Sequence, residues 1–316
     1  MGINRCLYGK LRKRRKERIH VTVCVAAIAR GIIFCASDQM ITAGDIQFEP
    51  QQTKAYPLTN SIVAQVAGDA SIQSQIMQSV GAEVKKRIRA DPKIWLNVRD
   101  IAELYRHYYE ELRIMHCEHD ILAPLTLDRH TWISRQKEMD SELITKIATE
   151  LMNYEWEETA VIFSGIDSSG AHIYVARNGV ISCQDSVGFA AIGAGEWHAN
   201  SQLMFAGHTK EKSVPETLLL VYSAKKRAEV APGVGKGTDM FAIGPSVGSF
   251  SPIISEIEGL EKIYRNEQKR HNRAAMAARG EADRYVQEIV KRATEKTQER
   301  KPADIEGKTS PDTKSV

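Results

Sequence analysis

Residues 22–29 form an apolar stretch rich in β-branched side chains, Arg30-Gly31 interrupts it, and Ile32–Ser37 is apolar again, a pattern that predicts a tight β-hairpin. A second strand pair is expected at Thr53–Tyr56 and Ser61–Ala67, joined by the turn-forming run Pro57-Leu58-Thr59-Asn60. Gly68 ends that pair, and Asp69 or Ser71 caps a helix running to about Arg89, where Asp91-Pro92 breaks the pattern. Helical periodicity returns at about 97–117 and 134–153, on either side of Ile121-Leu122-Ala123-Pro124. Strands follow at Thr159–Gly165, His172–Ala176 and Phe189–Ile192, then helices at about 196–206 and 215–229 and a strand near Asp239–Ile243.

Blocks of strands and helices without regular βα alternation predict an α+β fold: a four-layer αββα sandwich of two antiparallel sheets flanked by helices, not a doubly wound parallel sheet. Four segments are expected along the 316 residues. Residues 1–21 are a basic leader, possessing no apolar signal core; 22–252 are the globular domain, with a helical insertion at about 117–153; 253–298 are a helical extension; 299–316 are a disordered tail. The extension carries Ile257, Leu260, Ile263 and Tyr264, then Tyr285, Val286, Ile289 and Val290, a broken stripe that predicts a solvated helix contacting a neighbouring subunit.

Composition changes this picture little, but charge does. A hydrophobic share of 42% and a charged share of 26% are those of a globular domain, with no apolar run long enough to span a bilayer. A cytoplasmic location is the default, and the five scattered cysteines suit reduced thiols. The net charge of +3 conceals a leader at +7, residues 1–20, and a remainder at −4. The leader has a single aromatic, Tyr8, and no interleaving of aromatics with its basic residues, so neither a nucleic-acid nor a membrane partner is expected from it.

Candidate chemistry begins at the first hairpin. A ladder centred on Arg30 places Thr22 across from Asp38 where the strands end, bringing a hydroxyl and a carboxylate together outside the packed core. Other signals carry less. Gly233-Val234-Gly235-Lys236-Gly237-Thr238 resembles a phosphate loop, but Val230 stands where the first glycine belongs and Gly237 where Ser or Thr belongs. His116-Cys117-Glu118-His119 lacks a second pair at ligand spacing, so neither a metal nor any other cofactor is expected.

The segments Thr22–Ala27, Gly31–Ile33, Ser37–Gly44, Thr53–Ala55 and Val66–Ala70 together resemble catalytic proteasome β subunits and their bacterial two-component relative. That family has an aspartate 16, a lysine 32 and a glycine 46 residues after its threonine, and Asp38, Lys54 and Gly68 match these spacings from Thr22 without a gap. The similarity continues more loosely through Phe163–Gly195 to about Gly244, some two-thirds of the chain. It implies an N-terminal-nucleophile (Ntn) hydrolase: Thr22 attacks, Lys54 and Asp38 support it, and the Gly68 N–H meets the developing negative charge. Ile41, Gln52, Tyr56, Val66 and Ala70 match the family's main specificity pocket, and Ala194 and Glu229 stand at its auxiliary positions, where the family has serine and aspartate. Cleavage after apolar residues follows from that pocket.

Ionisation chemistry selects the base. At neutral pH about a tenth of an ordinary α-amine is unprotonated, against fewer than about one in a thousand of ordinary lysine side chains. The amine of Thr22 itself therefore serves, provided the mature chain begins there. Where family precursors carry glycine before the threonine, this chain has Val21, so residues 1–21 must be removed or never translated. Val21 read as a GTG start, with AAGGAG encoding Lys16-Glu17 as the ribosome-binding sequence, is one route. The resemblance implies a threonine peptidase acting on protein or peptide substrates inside a homo-oligomeric ring or stacked assembly, fed by a separate ATPase unfoldase. A catalytically silent scaffold of the same fold, and an amidohydrolase acting on small amides, are the alternatives.

Overall fold

Arg30 and Gly31 both take positive φ, 50° and 82°, the geometry of a two-residue type I′ turn whose twist matches that of the strands it joins. A computed structural model describes residues 22–43, 46–48, 53–244, 251–252 and 257–299. In it the turn connects β1 (Cys24–Ala29) to β2 (Ile32–Asp38), with Cα partners running from Ala29↔Ile32 to Cys24↔Ser37. The ladder is centred between Arg30 and Gly31, which corrects the expected register by one residue. Asp38 lies across from Val23, donating its N–H to the Val23 carbonyl at 3.1 Å. A one-residue shift exchanges strand faces, so direct opposition is not what links Asp38 to Thr22.

The remaining strands are β3 (Ile41–Ala43), β4 (Ile46–Phe48), β5 (Ala55–Pro57), β6 (Ile62–Gly68), β7 (Thr159–Asp167), β8 (Gly170–Arg177), β9 (Val180–Cys183), β10 (Phe189–Ile192), β11 (Thr238–Ile243) and β12 (Ser251–Pro252). The α-helices are α1 (Ala70–Ala90), α2 (Val98–Cys117), α3 (Arg129–Ser134), α4 (Ser141–Met152), α5 (Glu196–Phe205), α6 (Val214–Ala228) and α7 (Ile257–Glu299). The class is α+β. One antiparallel sheet has the order β10-β1-β2-β11-β12 and another β5-β6-β7-β8-β9, with β3 and β4 as a separate pair.

Period-two alternation decides what each strand buries. Cys24, Ala26, Ile28, Ile33 and Cys35 of the first sheet meet Ala55, Val63, Ala67, Ile162, Ile173 and Val175 of the second in one apolar cluster. On β6 the alternate residues Ile62 and Ala64 turn the other way, toward Ile76, Val80, Val84, Ile101 and Tyr105 of α1 and α2. Helices α5 and α6 pack on β1, and α6 also on β2. Each fully buried Ile or Val in these clusters contributes about 1.5–3 kcal/mol. Gln65, buried among the facing strands, donates from Nε2 to the Ala36 carbonyl at 3.1 Å and so ties β6 to β2.

Caps set the helix boundaries. Asp69, not Ser71, caps α1, accepting the N–H groups of Ser71 and Ile72 at 2.9 and 3.0 Å. Asp140 caps α4 in the same way through Glu142 and Leu143, so the helix expected from 134 begins only at Ser141, after the short α3. Between α2 and β7 the chain builds a small core of its own from Leu122, Trp132 and Ile147. Strand β9 was not anticipated: it is short and mostly exposed.

Away from these layers, His172 sits between two carboxylates, with Nδ1 2.7 Å from Asp185 and Nε2 3.2 Å from Asp167. The Ser169 hydroxyl is shared between Asp167 and His172 Nε2, both at 2.7 Å. Asp167 also accepts the Val98 N–H at the start of α2. The cluster therefore braces the β7–β8 turn against α2.

The chain divides into two compact units, Met1–Leu260 and Glu261–Val316. The second holds most of α7, on which Tyr285, Val286, Ile289 and Val290 are exposed. Among the described residues no helix is long and apolar enough to cross a membrane. The leader and nearly all of the expected tail lie outside the described residues, as does the first part of the 253–298 extension.

His208 gives the fold a defined acid sensitivity. It is buried, Nε2 lies 3.2 Å from the Ile28 carbonyl, and burial pushes its pKa below the ordinary histidine value. The unfolded chain therefore takes up a proton that the folded chain refuses. Stability falls as pH drops through about 6.5 and levels off below the depressed folded value. In His208→Gln the melting temperature should lose this dependence between about pH 7 and pH 5; an unchanged slope would contradict the assignment.

Candidate active site

Asp38 ends the central strand β2 with its side chain fully buried, a position that demands donors for both oxygens. Oδ1 accepts the Val23 N–H at 2.9 Å and Lys54 Nζ at 2.6 Å. Oδ2 accepts the N–H groups of Met40 at 3.2 Å and Gly235 at 3.0 Å. The carboxylate is thus gripped by the residue before β1, by Lys54, by its own strand end and by the segment after α6.

Lys54 comes from the other sheet. It precedes β5, its carbonyl accepts the Val66 N–H at 3.2 Å, and its side chain is only 11% exposed. Besides its ion pair with Asp38, Nζ donates to Thr22 Oγ1. An ammonium has donors only. Thr22 Oγ1 is therefore the acceptor in that contact, and the hydroxyl proton must point to another partner.

Thr22 precedes β1 and is 4% exposed. Its carbonyl accepts the Gly195 N–H at 3.2 Å. Gly193 has φ of +92°, and a Cβ there would stand 2.4 Å from the Thr22 carbonyl oxygen. Only glycine allows this approach. The segment Gly193-Ala194-Gly195 therefore seats the threonine backbone, with Ala194 linking the two contact points. Cys24, two residues on, is no rival nucleophile: burial raises its thiol pKa far above the ordinary range, outweighing the opposing pull of Lys54.

No protein-family model matches the chain, and no curated protein matches its sequence.

The structure brings Thr22, Asp38 and Lys54 together. Gly68 ends β6 with φ of +109°, and a Cβ there would meet the Glu158 carbonyl at 2.4 Å, so its glycine identity is a backbone requirement. Tyr56 and Val66 are half-buried on the helix side of the second sheet, in the same apolar cluster as Ile72 of α1. Ala70 is the exposed first residue of that helix. Ile41 opens β3, and Gln52 lies outside the described residues. A separate concavity of about 500 Å³ is lined by Val187, Phe189, Met204, His208 and Lys210 and by none of the three central residues.

Glu229, the C-cap residue of α6, accepts from Lys225 at 2.7 Å and Lys226 at 2.8 Å. Lys225 lies in a Lys-Lys-Arg run that does not single it out in the sequence. It is fully buried, and Nζ donates also to the carbonyls of Gly235 and Lys236 at 3.1 and 3.0 Å. Burial pushes its pKa below the ordinary lysine value, and Glu229 opposes that shift without cancelling it. The phosphate-loop look-alike is thus engaged with Asp38 and Lys225. Within the 116–119 cluster, His116 packs edge-on against Trp156 and Glu118 pairs with Arg129. Among the described residues no group of three or more His, Cys, Asp or Glu could hold a metal ion.

Gly193→Ala should therefore shift Thr22 and cost about 1–3 kcal/mol from the strained φ alone. Denaturant unfolding checks this, and a variant as stable as the parent would show that the seat is not tight.

Proposed function

We propose that the chain is a threonine-type, N-terminal-nucleophile hydrolase of the proteasome-like kind, cleaving peptide bonds with Thr22. The observation that carries this reading is the double engagement of Lys54 Nζ, hydrogen-bonded to Thr22 Oγ1 while paired with Asp38. A hydroxyl that accepts from an ammonium is electrostatically prepared to become an alkoxide, and its own proton is directed to a separate base.

That base is the α-amine of Thr22 in a chain that starts at this residue. Thr22 Oγ attacks the substrate carbonyl while the hydroxyl proton passes to the amine. The tetrahedral intermediate collapses, the C–N bond breaks, and the leaving amine takes the proton away. Water then hydrolyses the threonine ester and regenerates the enzyme. Lys54 remains the cation that stabilises the oxygen, Asp38 holds Lys54, and the Gly68 amide is the proposed donor to the oxyanion. Ile41, Gln52, Tyr56, Val66 and Ala70 are the proposed walls of a pocket for an apolar side chain, with Ala194 and Glu229 supporting the centre.

The packing supports a four-layer αββα arrangement. Sheet faces sheet across one apolar cluster, α1 and α2 cover one outer face, and α5 and α6 cover the other. We place the enzyme in the cytoplasm as a homo-oligomer that encloses its active sites and receives unfolded chains from a separate ATPase.

Incubation of the mature protein with a peptide electrophile directed at N-terminal threonine tests the reading. A covalent adduct should form on Thr22, persist in Thr22→Ser and vanish in Thr22→Ala. The rate should rise with pH through the α-amine range of about 7.7–8.0. An adduct of equal yield in Thr22→Ala would refute Thr22 as the nucleophile.

A further inference from the structure

Lys225 is a buried charge to which the reaction above assigns no part. Its neighbours Lys226 and Arg227 are half-buried and exposed, so the C-terminal turn of α6 already has two other cations to meet its dipole. A third lysine there would ordinarily extend its head to water. Lys225 instead has no exposed surface, and an ammonium withdrawn from water is costly unless every hydrogen is used.

All three hydrogens have acceptors. Glu229 Oε1 stands at 2.7 Å, the Gly235 carbonyl at 3.1 Å and the Lys236 carbonyl at 3.0 Å. Two of the three belong to the backbone that follows α6, so the ammonium clamps residues 235–236. Gly235 faces two ways: its carbonyl meets Lys225, and its N–H meets Asp38 Oδ2 at 3.0 Å. Oδ1 of the same carboxylate holds Lys54, which donates to Thr22. A planar carboxylate fixed at one oxygen is fixed at the other.

We infer that Lys225 is a positioning residue for the Thr22 centre: by clamping residues 235–236 it holds the Gly235 N–H on Asp38 Oδ2, and so keeps Oδ1 turned toward Lys54. The inference rests on the reading of Thr22 as nucleophile. Glu229 then supplies the counter-charge that lets the clamp stay ionised inside the protein, and the lysine reaches the reacting oxygen through the loop, Asp38 and Lys54.

The test uses Lys225→Met, close in length and uncharged, in the mature full-length protein. Hydrogen exchange over residues 230–237 should rise about tenfold or more, with β1 unchanged. The maximal rate of Thr22 modification by the peptide electrophile should fall about 10- to 100-fold at an unchanged half-saturating concentration. A merely structural lysine would not divide rate from affinity in this way. Glu229→Gln, which keeps the ammonium but removes its counter-charge, should move both readouts in the same direction and decides the matter if the methionine variant does not fold. Wild-type exchange and wild-type rates in the folded variant overturn the inference. Should the parent itself show no modification at Thr22, the nucleophile reading fails separately, and exchange over 230–237 alone decides whether the clamp exists.

Discussion

A carboxylate placed at the end of a central strand with no exposure must find donors for both of its oxygens, and that demand organises everything around Asp38. Val23, Met40, Lys54 and Gly235 answer it from four different parts of the chain. Each donor does local work as well. The Val23 contact fixes the residue after Thr22, the Met40 contact turns the chain out of β2, and the Gly235 contact anchors the segment beyond α6. Lys54 alone crosses from the other sheet, so the ion pair also marks where the two sheets meet. Removing the carboxylate would leave the largely buried Lys54 ammonium beside Thr22 without the anion that holds it.

The fold makes that meeting point possible through packing of small residues. On the facing surfaces of the two sheets small side chains, Cys24, Ala26, Cys35, Ala55 and Ala67 among them, stand between isoleucines in one cluster. Gly193 and Gly195 continue the theme at the mouth, where the Thr22 carbonyl is seated against backbone. Precision at the site is therefore a property of β1, β2 and the Gly193–Gly195 segment, which agrees with the general finding that sites built on rigid elements hold geometry best.

Much of this was legible in the amino-acid pattern. The Arg30-Gly31 turn, the strand at Phe189–Ile192 and the helix starting at Asp69 follow from apolar runs broken by turn and cap residues. Other features were not, for physical reasons. Periodicity does not say whether a hairpin pivots on a residue or between two, and that ambiguity displaced the register by one. Strand β9 is mostly exposed, so it carries no burial pattern to read. Asp140 starts α4 by capping, which helical periodicity through 134–153 conceals. Lys225 was hidden because lysine next to Lys226 and Arg227 reads as a solvated helix end. Gly235 carries no signal of its own, because its segment resembles only a degenerate phosphate loop, whereas its N–H binds a carboxylate of the protein itself.

The proposed mechanism requires one residue to offer both an attacking oxygen and an adjacent unblocked amine. Intact-mass measurement of the purified protein, combined with N-terminal sequencing, tests that most directly. The expected result is a chain whose first residue is Thr22 with a free amine. A stable, active protein that retains Val21 or any earlier residue ahead of Thr22 would contradict it.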